Sequence, residues 1–313
     1  MMACVAWTKP RSAVAPGLGA VALGSVLFGS SGVLILLCYQ HGANAAGILT
    51  IRGLATLPWL ALLIRAGHRT ATRSELGRLS LMGCLVAAGV SAYTVAIGHM
   101  SPAFVALVYY SYPVLVILGA RMLGWIRLDV LTATAAAAAI GGVALTIGVP
   151  SGDIGAVGVA FSLISGITNA AYLLVAEHTL RRVSPLAAMP LVGGLTSVLL
   201  LAGCLVAGPQ LPTDGRGIAI VAGLFLCLMF PHALLLRGVG QIGGTWGALV
   251  SSLEVVTSIV ATALVVGIEI SPAVVVGGAL ILVGGIAAPI VASRRATGLR
   301  GSPAAVGTAA GEP

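Results

Sequence analysis

Charge is what this sequence has least of. Only 8% of its 313 residues are Asp, Glu, Lys or Arg, against about 25% in a soluble domain. Apolar residues make up 58% and the mean hydropathy is +1.10, so too little polar material exists to cover a water-facing surface. That excludes an ordinary soluble globule. Cysteine is equally uninformative as a staple: Cys4, Cys38, Cys84, Cys204 and Cys227 lie far apart, without a CxxC pair or a histidine at ligand spacing. No disulfide framework and no metal site follow from them. No phosphate loop or dinucleotide fingerprint appears, which argues against ATP-driven pumping and against any cofactor. Gly29-Ser30-Ser31-Gly32 matches a short intramembrane serine protease pattern, but no histidine on a glycine-rich neighbour accompanies it, so no enzyme is expected. The net charge of +8 does not point to nucleic acid, because the basic residues sit at the ends of apolar runs and not in an aromatic-flanked patch.

What remains is a series of long apolar runs. Crossing a lipid core takes about 20 such residues, and the chain divides into runs at 18–38, 44–64, 79–98, 103–123, 129–149, 154–176, 187–207, 217–236, 242–266 and 272–292. Their breaks are loop material, such as Gln40-His41-Gly42 and Pro150-Ser151-Gly152-Asp153. A helix satisfies its own backbone in lipid, so an all-α integral membrane protein of ten transmembrane helices is expected, multi-pass in the cell (inner or plasma) membrane. With both termini cytoplasmic, Arg216 alone falls outside, Arg52 lies within a run, and the other 14 of the 16 basic residues fall inside. The run from Gly17 to Cys38 is too long for a signal-peptide core, so no cleavage is expected there. Residues 1–16 and the Gly/Ala/Pro/Arg-rich tail 293–313 are expected to be disordered and cytoplasmic.

The chain also repeats itself. Met100-Ser-Pro-Ala-Phe-Val-Ala-Leu-Val aligns with Ile242-Gly-Gly-Thr-Trp-Gly-Ala-Leu-Val, and Ile140-Gly141-Gly142-Val143-Ala144 aligns with Val283-Gly284-Gly285-Ile286-Ala287. The two alignments agree in order and nearly in spacing. They define two five-helix units, 17–149 and 150–292. Five is odd, so the second unit enters the membrane from the opposite side. Inverted repeats of this kind are typical of secondary transporters, in which two halves rock about a central site.

The residues at the ends of each unit carry a family resemblance. Ser111-Tyr112-Pro113 and Ser252-Leu253-Glu254, then Gly124-Trp125-Ile126-Arg127 and Gly267-Ile268-Glu269, then Gly141-Gly142 and Gly284-Gly285 follow one another in matching order. Over roughly residues 17 to 292 the chain resembles the drug/metabolite transporter superfamily, in particular its EamA-type ten-helix members. Two positions depart from that pattern: Val255 replaces the usual second-half proline, and Trp125-Ile126 replaces the first-half acid. The resemblance implies export or exchange of small solutes, amino acids and related metabolites among them, coupled to a gradient. The partners implied are a small-molecule solute and the bilayer, and the glycine-rich faces leave a homodimer open.

Two charges lie deep in the runs, Arg52 in the second and Glu254 in the ninth. Each costs about 2.5–3.5 kcal/mol or more at a helix centre, so it faces protein or water and needs a partner. Glu254 shares a helix face with Ser251, Ser258 and Thr262; Ser251 and Ser258 are candidates for binding the solute beside it, and the carboxyl is the candidate for exchanging a proton against a cationic solute. Arg52 can fork onto a carboxylate or pair with Glu254. Tyr109 and Tyr112, one turn apart in the fourth run, occupy the repeat positions of Ser251 and Glu254 and are candidates for stacking on a solute. Asn169 and Tyr172 in the sixth run are further candidates of the same kind. The small residues Gly158, Ser162, Gly166 and Ala170 read as a close-packing stripe. The competing expectation is a non-transporting scaffold or accessory subunit in which Arg52 and Glu254 form a structural pair.

Overall fold

The computed structural model describes residues 14–66, 72–124, 155–179, 185–242, 253–267 and 271–280, with the isolated positions 130, 134, 137, 138, 141, 142, 145, 183, 250 and 283. The described residues are helical, with no strand among them. The helices are α1 (Val14–Gln40), α2 (Ala45–Ala66), α3 (Arg73–Ile97), α4 (Pro102–Tyr109) and α5 (Tyr112–Met122) in the first half. The second half holds α6 (Ala156–Thr179), α7 (Pro185–Ala207), α8 (Gly215–Ile242) and α9 (Leu253–Val266), followed by a helical stretch at 272–280. Most of the expected run 129–149, the end of 272–292, the tail 293–313, Ser251 and Trp246 fall outside the described residues.

Among the described residues, five stretches are long and apolar enough to cross a membrane: Ala15–Gln40, Arg73–Ile97, Pro102–Met122, Ala156–Ala176 and Ala187–Ala207. Shorter apolar helices run over Ala45–Pro58, Gly215–Pro231 and Leu253–Val266. The outward faces are apolar as well, with Leu205, Val206 and Leu264 each more than 80% exposed. In water that arrangement would be costly; against hydrocarbon it is not.

Two expectations need correction. Residues 14–16, read as part of a disordered tail, form the first turn of α1; the rest of that tail lies outside the described residues. The run 103–123 is one span but two helices, because the α-helical ladder stops at Tyr110 and Ser111. Pro113 is the cause. It has no N–H to donate to the carbonyl of Tyr109, four residues back, so the ladder cannot pass that point.

Helix ends are set by local chemistry. At α3 the Thr72 hydroxyl accepts from the Glu75 N–H and the Glu75 carboxylate accepts from the Thr72 N–H, a capping box on a polar first turn. Gly124 after α5 (φ 72°) and Gly267 after α9 (φ 75°) both adopt the left-handed conformation that closes a helix.

The packing is pairwise. α1 lies on α8 and α9, α2 on α7 and α8, and α3 on α6 and α7, while α6 also touches α4 and α5, and α4 touches α9. The main core gathers Ile35, Ile48, Ile97, Leu107, Val108 and Val255. A second, smaller core forms around Leu79, Met82, Ala188 and Val192. Small polar side chains tie helices together across these seams: Ser197 donates to Thr56 (2.7 Å), Ser165 to the Gly89 carbonyl (2.9 Å) and Thr196 to the Gly83 carbonyl (3.2 Å). Such bonds contribute about 0.6 kcal/mol each on average inside a membrane protein.

Candidate functional site

The interruption between α4 and α5 lies beside the N-terminal turn of α9, and the side chains that converge there are unusual for this chain. Aromatic residues are 5% of the sequence and tyrosines number six, yet Tyr93, Tyr109, Tyr110 and Tyr112 form one continuous cluster. Tyr109 stands edge-on to Tyr93 and to Tyr110, with ring centroids 5.4 Å apart in each case. Tyr112 lies 5.3 Å from Tyr109 and 5.6 Å from Tyr110. These are the offset and edge-to-face spacings that ring quadrupoles favour. Tyr39 reaches the same core from α1 and fixes its hydroxyl on the Thr94 carbonyl at 3.0 Å.

Glu254 closes one side of the cluster. The Tyr110 hydroxyl donates to its Oε2 at 2.8 Å. The backbone of α9 is pressed against α1 at this point: a Cβ on Gly29 would meet the Glu254 carbonyl oxygen at 2.5 Å and the Thr257 Cβ at 2.7 Å. One turn on, Gly32 faces Pro102 and Ser258. The Gly29-Ser30-Ser31-Gly32 pattern is thus a notch that admits α9 and the start of α4. Ser30 and Ser31 turn their hydroxyls back onto α1's own carbonyls of Val26 and Phe28.

Arg52 closes the other side. Its Cζ stands 5.9 Å from the centroid of the Tyr93 ring, within cation–π reach. Its Nε is buried and has no hydrogen-bond partner. Arg52 and Glu254 form no ion pair with each other. The only ion pair among the described residues is His41–Asp214, so the direct Arg52–Glu254 pair that the scaffold reading requires is absent.

Of the residues singled out in the sequence, Arg52, Tyr109, Tyr112 and Glu254 come together here. Ser258, 1% exposed, instead donates its hydroxyl to the Pro102 carbonyl (3.4 Å), holding α9 to the start of α4. Tyr172 packs against the second core, the one that gathers Leu79 and Met82. Asn169 is half-buried on α6, with no hydrogen bond to Arg52, the tyrosines or Glu254. Ser251 lies outside the described residues. Gly158 and Gly166, from the small-residue stripe, lie against Met100 and the Tyr109 carbonyl respectively.

Tyr93 and Tyr110 were not foreseen. A continuous helix would point Tyr110 about 100° away from Tyr109, off the shared face. The signal available was Pro113, which frees the Tyr109 carbonyl and interrupts that periodicity. Tyr93 sits in an unremarkable apolar run, and nothing local distinguishes it.

A second polar cluster lies at the turn between α1 and α2, where it meets the α7–α8 connection. Asn44 donates to the Gly208 carbonyl (3.0 Å) while its Oδ1 accepts from the N–H groups of Gly47 (2.8 Å) and Gln210 (3.0 Å). The Asp214 carboxylate accepts from the Gly217 N–H at 3.1 Å, and His41 Nδ1 lies 3.0 Å from its Oδ2. The Gly217 N–H, at the start of α8, is the main reason that this carboxyl ionises below the ordinary aspartate range, with His41 adding to it.

No family model matches the chain, and no curated protein matches it. Twenty-six chains of solved structures do. One of them, a crystal structure described only as that of a protein, aligns with a TM-score of 0.55 at 20% identity, over 92% of this chain and 99% of its own. At that identity the likeness is one of fold alone.

Proposed function

We propose that this chain is a secondary transporter that moves small metabolites, amino acids or related solutes among them, by alternating access. In this reading it has ten spans arranged as two inverted five-helix repeats, as the resemblance to EamA-type members of the drug/metabolite transporter superfamily implies, and it works as an exporter. Glu254 is the group that trades a proton for solute.

The packing supports the repeat. Exchanging each span for the one five places away turns α1 into α6, α2 into α7, α3 into α8 and the α4–α5 span into α9. Under that exchange the α1–α8 contact becomes α6–α3, α1–α9 becomes α6 against α4 and α5, and α2–α8 becomes α7–α3. The other extensive contacts, α2–α7 and α4–α9, map onto themselves, whereas the slighter contacts of α1 with α2, α3 and α4 and of α3 with α2 and α4 have no counterpart of similar extent among the described residues. The matching left-handed glycines Gly124 and Gly267 fall at equivalent ends.

The observation that carries the functional reading is the separation of Arg52 and Glu254. Two charges of opposite sign sit inside apolar helices, bracket a tyrosine cluster at a broken helix, and do not pair. Intramembrane charges arranged in that way mark solute or ion pathways, and discontinuous helices near the midplane are where carriers hold their cargo.

The test is solute flux in proteoliposomes across an imposed pH gradient, wild type against Glu254→Gln, with an amino-acid and metabolite panel. The reading requires a solute that moves with wild type and carries protons the other way, and a Glu254→Gln protein that folds but loses the coupling. A correctly inserted wild type that moves nothing in the panel counts against it.

A further inference from the structure

We infer that Arg52 and Glu254 are the two ends of one binding site, and that its ligand is a zwitterion whose carboxylate meets Arg52 and whose protonated amine meets Glu254. This rests on the carrier reading for its setting, since it names the solute class of the same site.

The inference follows from what each charge lacks. Glu254 has a hydrogen bond from a neutral phenol, which orients the carboxyl group but supplies no counter-ion to its ionised form. Arg52 has a ring face at 5.9 Å and a buried Nε with no acceptor. Among the described residues no carboxylate lies within ion-pair distance of Arg52, and no Lys, Arg or His within that distance of Glu254. A guanidinium and a carboxylate left singly in a low-dielectric interior are both costly. A direct salt bridge would relieve both, but none forms; Arg52 lies against Tyr93, Glu254 against Tyr110, and Tyr109 contacts both of those rings. A ligand bearing both charges relieves both at once and enters with no net charge of its own. A simple cation would answer Glu254 while adding repulsion at Arg52, and a simple anion would do the reverse. The tyrosines supply ring faces and hydroxyls from one charge to the other, which suits a chain of methylenes or a ring between the two charged ends.

Arg52's demand for an anion has another conceivable source, the phosphate of an anionic lipid. The experiment therefore uses the full-length protein in nanodiscs of phosphatidylcholine, with and without phosphatidylglycerol. Binding is read by calorimetry and thermal shift for glycine, 4-aminobutyrate and 6-aminohexanoate, which differ in charge separation. Each is compared with its amide, which keeps only the cation, and its N-acetyl derivative, which keeps only the anion. The expected result is that at least one zwitterion binds tenfold or more tighter than both derivatives, in either lipid. Arg52→Gln should erase the preference over the amide, and Glu254→Gln the preference over the N-acetyl compound. Should Arg52→Gln not fold, Arg52→Lys keeps the charge, and it should retain the preference in weakened form. An amide that binds wild type as tightly as its parent overturns the inference, as does a series in which nothing binds. Stabilisation by phosphatidylglycerol alone, lost in the Arg52 variants, would assign Arg52 to lipid and overturn it too. The carrier reading fails separately: binding with the expected preferences but no flux would leave the site standing without transport, and flux of plain cations would do the opposite.

Discussion

The hydroxyl of Tyr110 and Oε2 of Glu254 lie 2.8 Å apart although 144 residues separate them in the chain. The bond fastens the break between α4 and α5 to the first turn of α9. Hydrogen bonds to a charged acceptor contribute about 1.5–3 kcal/mol in soluble proteins and somewhat less among membrane helices. Tyr110→Phe should therefore lower unfolding stability by about 1–2 kcal/mol in detergent while leaving the helical content unchanged. The same variant frees Glu254, so solute affinity should change as well. A Tyr110→Phe protein matching wild type in both melting temperature and affinity would show the bond to be incidental.

Gly29 offers a sharper test of packing. A methyl at that position would collide with the backbone of α9, whereas at Gly19 it would meet nothing within 4 Å. Forcing extra volume into a tight contact costs about 1–3 kcal/mol. Gly29→Ala should lose stability on that scale and disturb the Glu254 environment, and Gly19→Ala should be neutral or slightly stabilising. Thermal unfolding of the pair, measured together, decides it.

Pro113 keeps α4 and α5 apart. Pro113→Ala restores an N–H that can bond the Tyr109 carbonyl and lets one continuous helix form. The expected outcome is a more stable protein, by up to about 3 kcal/mol, with slower transport because the tyrosine cluster loses its setting. Melting temperature and flux should move in opposite directions, and a parallel rise in both would contradict this account of the break.

At the other polar cluster, Asn44→Ala removes two hydrogen bonds joining the α1–α2 turn to the α7–α8 connection and a third, from the Gly47 N–H, that caps the start of α2. A loss of about 1–2 kcal/mol is expected. Asp214 adds a pH dependence of known sign. Its carboxyl ionises lower in the folded chain than when unfolded, so its contribution is present above the ordinary aspartate value of about 4. It disappears as the pH falls from there through the folded value. Melting temperature should decline more steeply over that acid range in wild type than in Asp214→Asn, and identical slopes would remove Asp214 from the explanation.

Much of the architecture could be read from hydropathy alone. The expected runs 154–176 and 187–207 fall on α6 (Ala156–Thr179) and α7 (Pro185–Ala207) within a few residues. Errors gather where hydropathy carries no information. The start of α3 was placed at 79, but the helix begins at Arg73, because a capping box with Thr72 and Glu75 is a polar signal outside the apolar run. The candidate site was half legible. Arg52 and Glu254 announce themselves as charges in apolar surroundings. Tyr110 did not, because a helical wheel assumes a ladder that Pro113 interrupts. Ser258 shares the Glu254 face of α9, and its bond to the Pro102 carbonyl ties that face to the start of α4. That depends on which helices touch, and no local pattern encodes it.

The seam between α2 and α7 is fastened at two separate places. Near the start of α2, Asn44 bonds Gly208 and Gln210, and about three turns further along that helix Thr56 accepts from Ser197. Between these points Gly47 and Gly53 bring the α2 backbone against Gln210 and Leu201. Bolted at both ends, α2 and α7 can neither slide along each other nor separate without breaking bonds at two places.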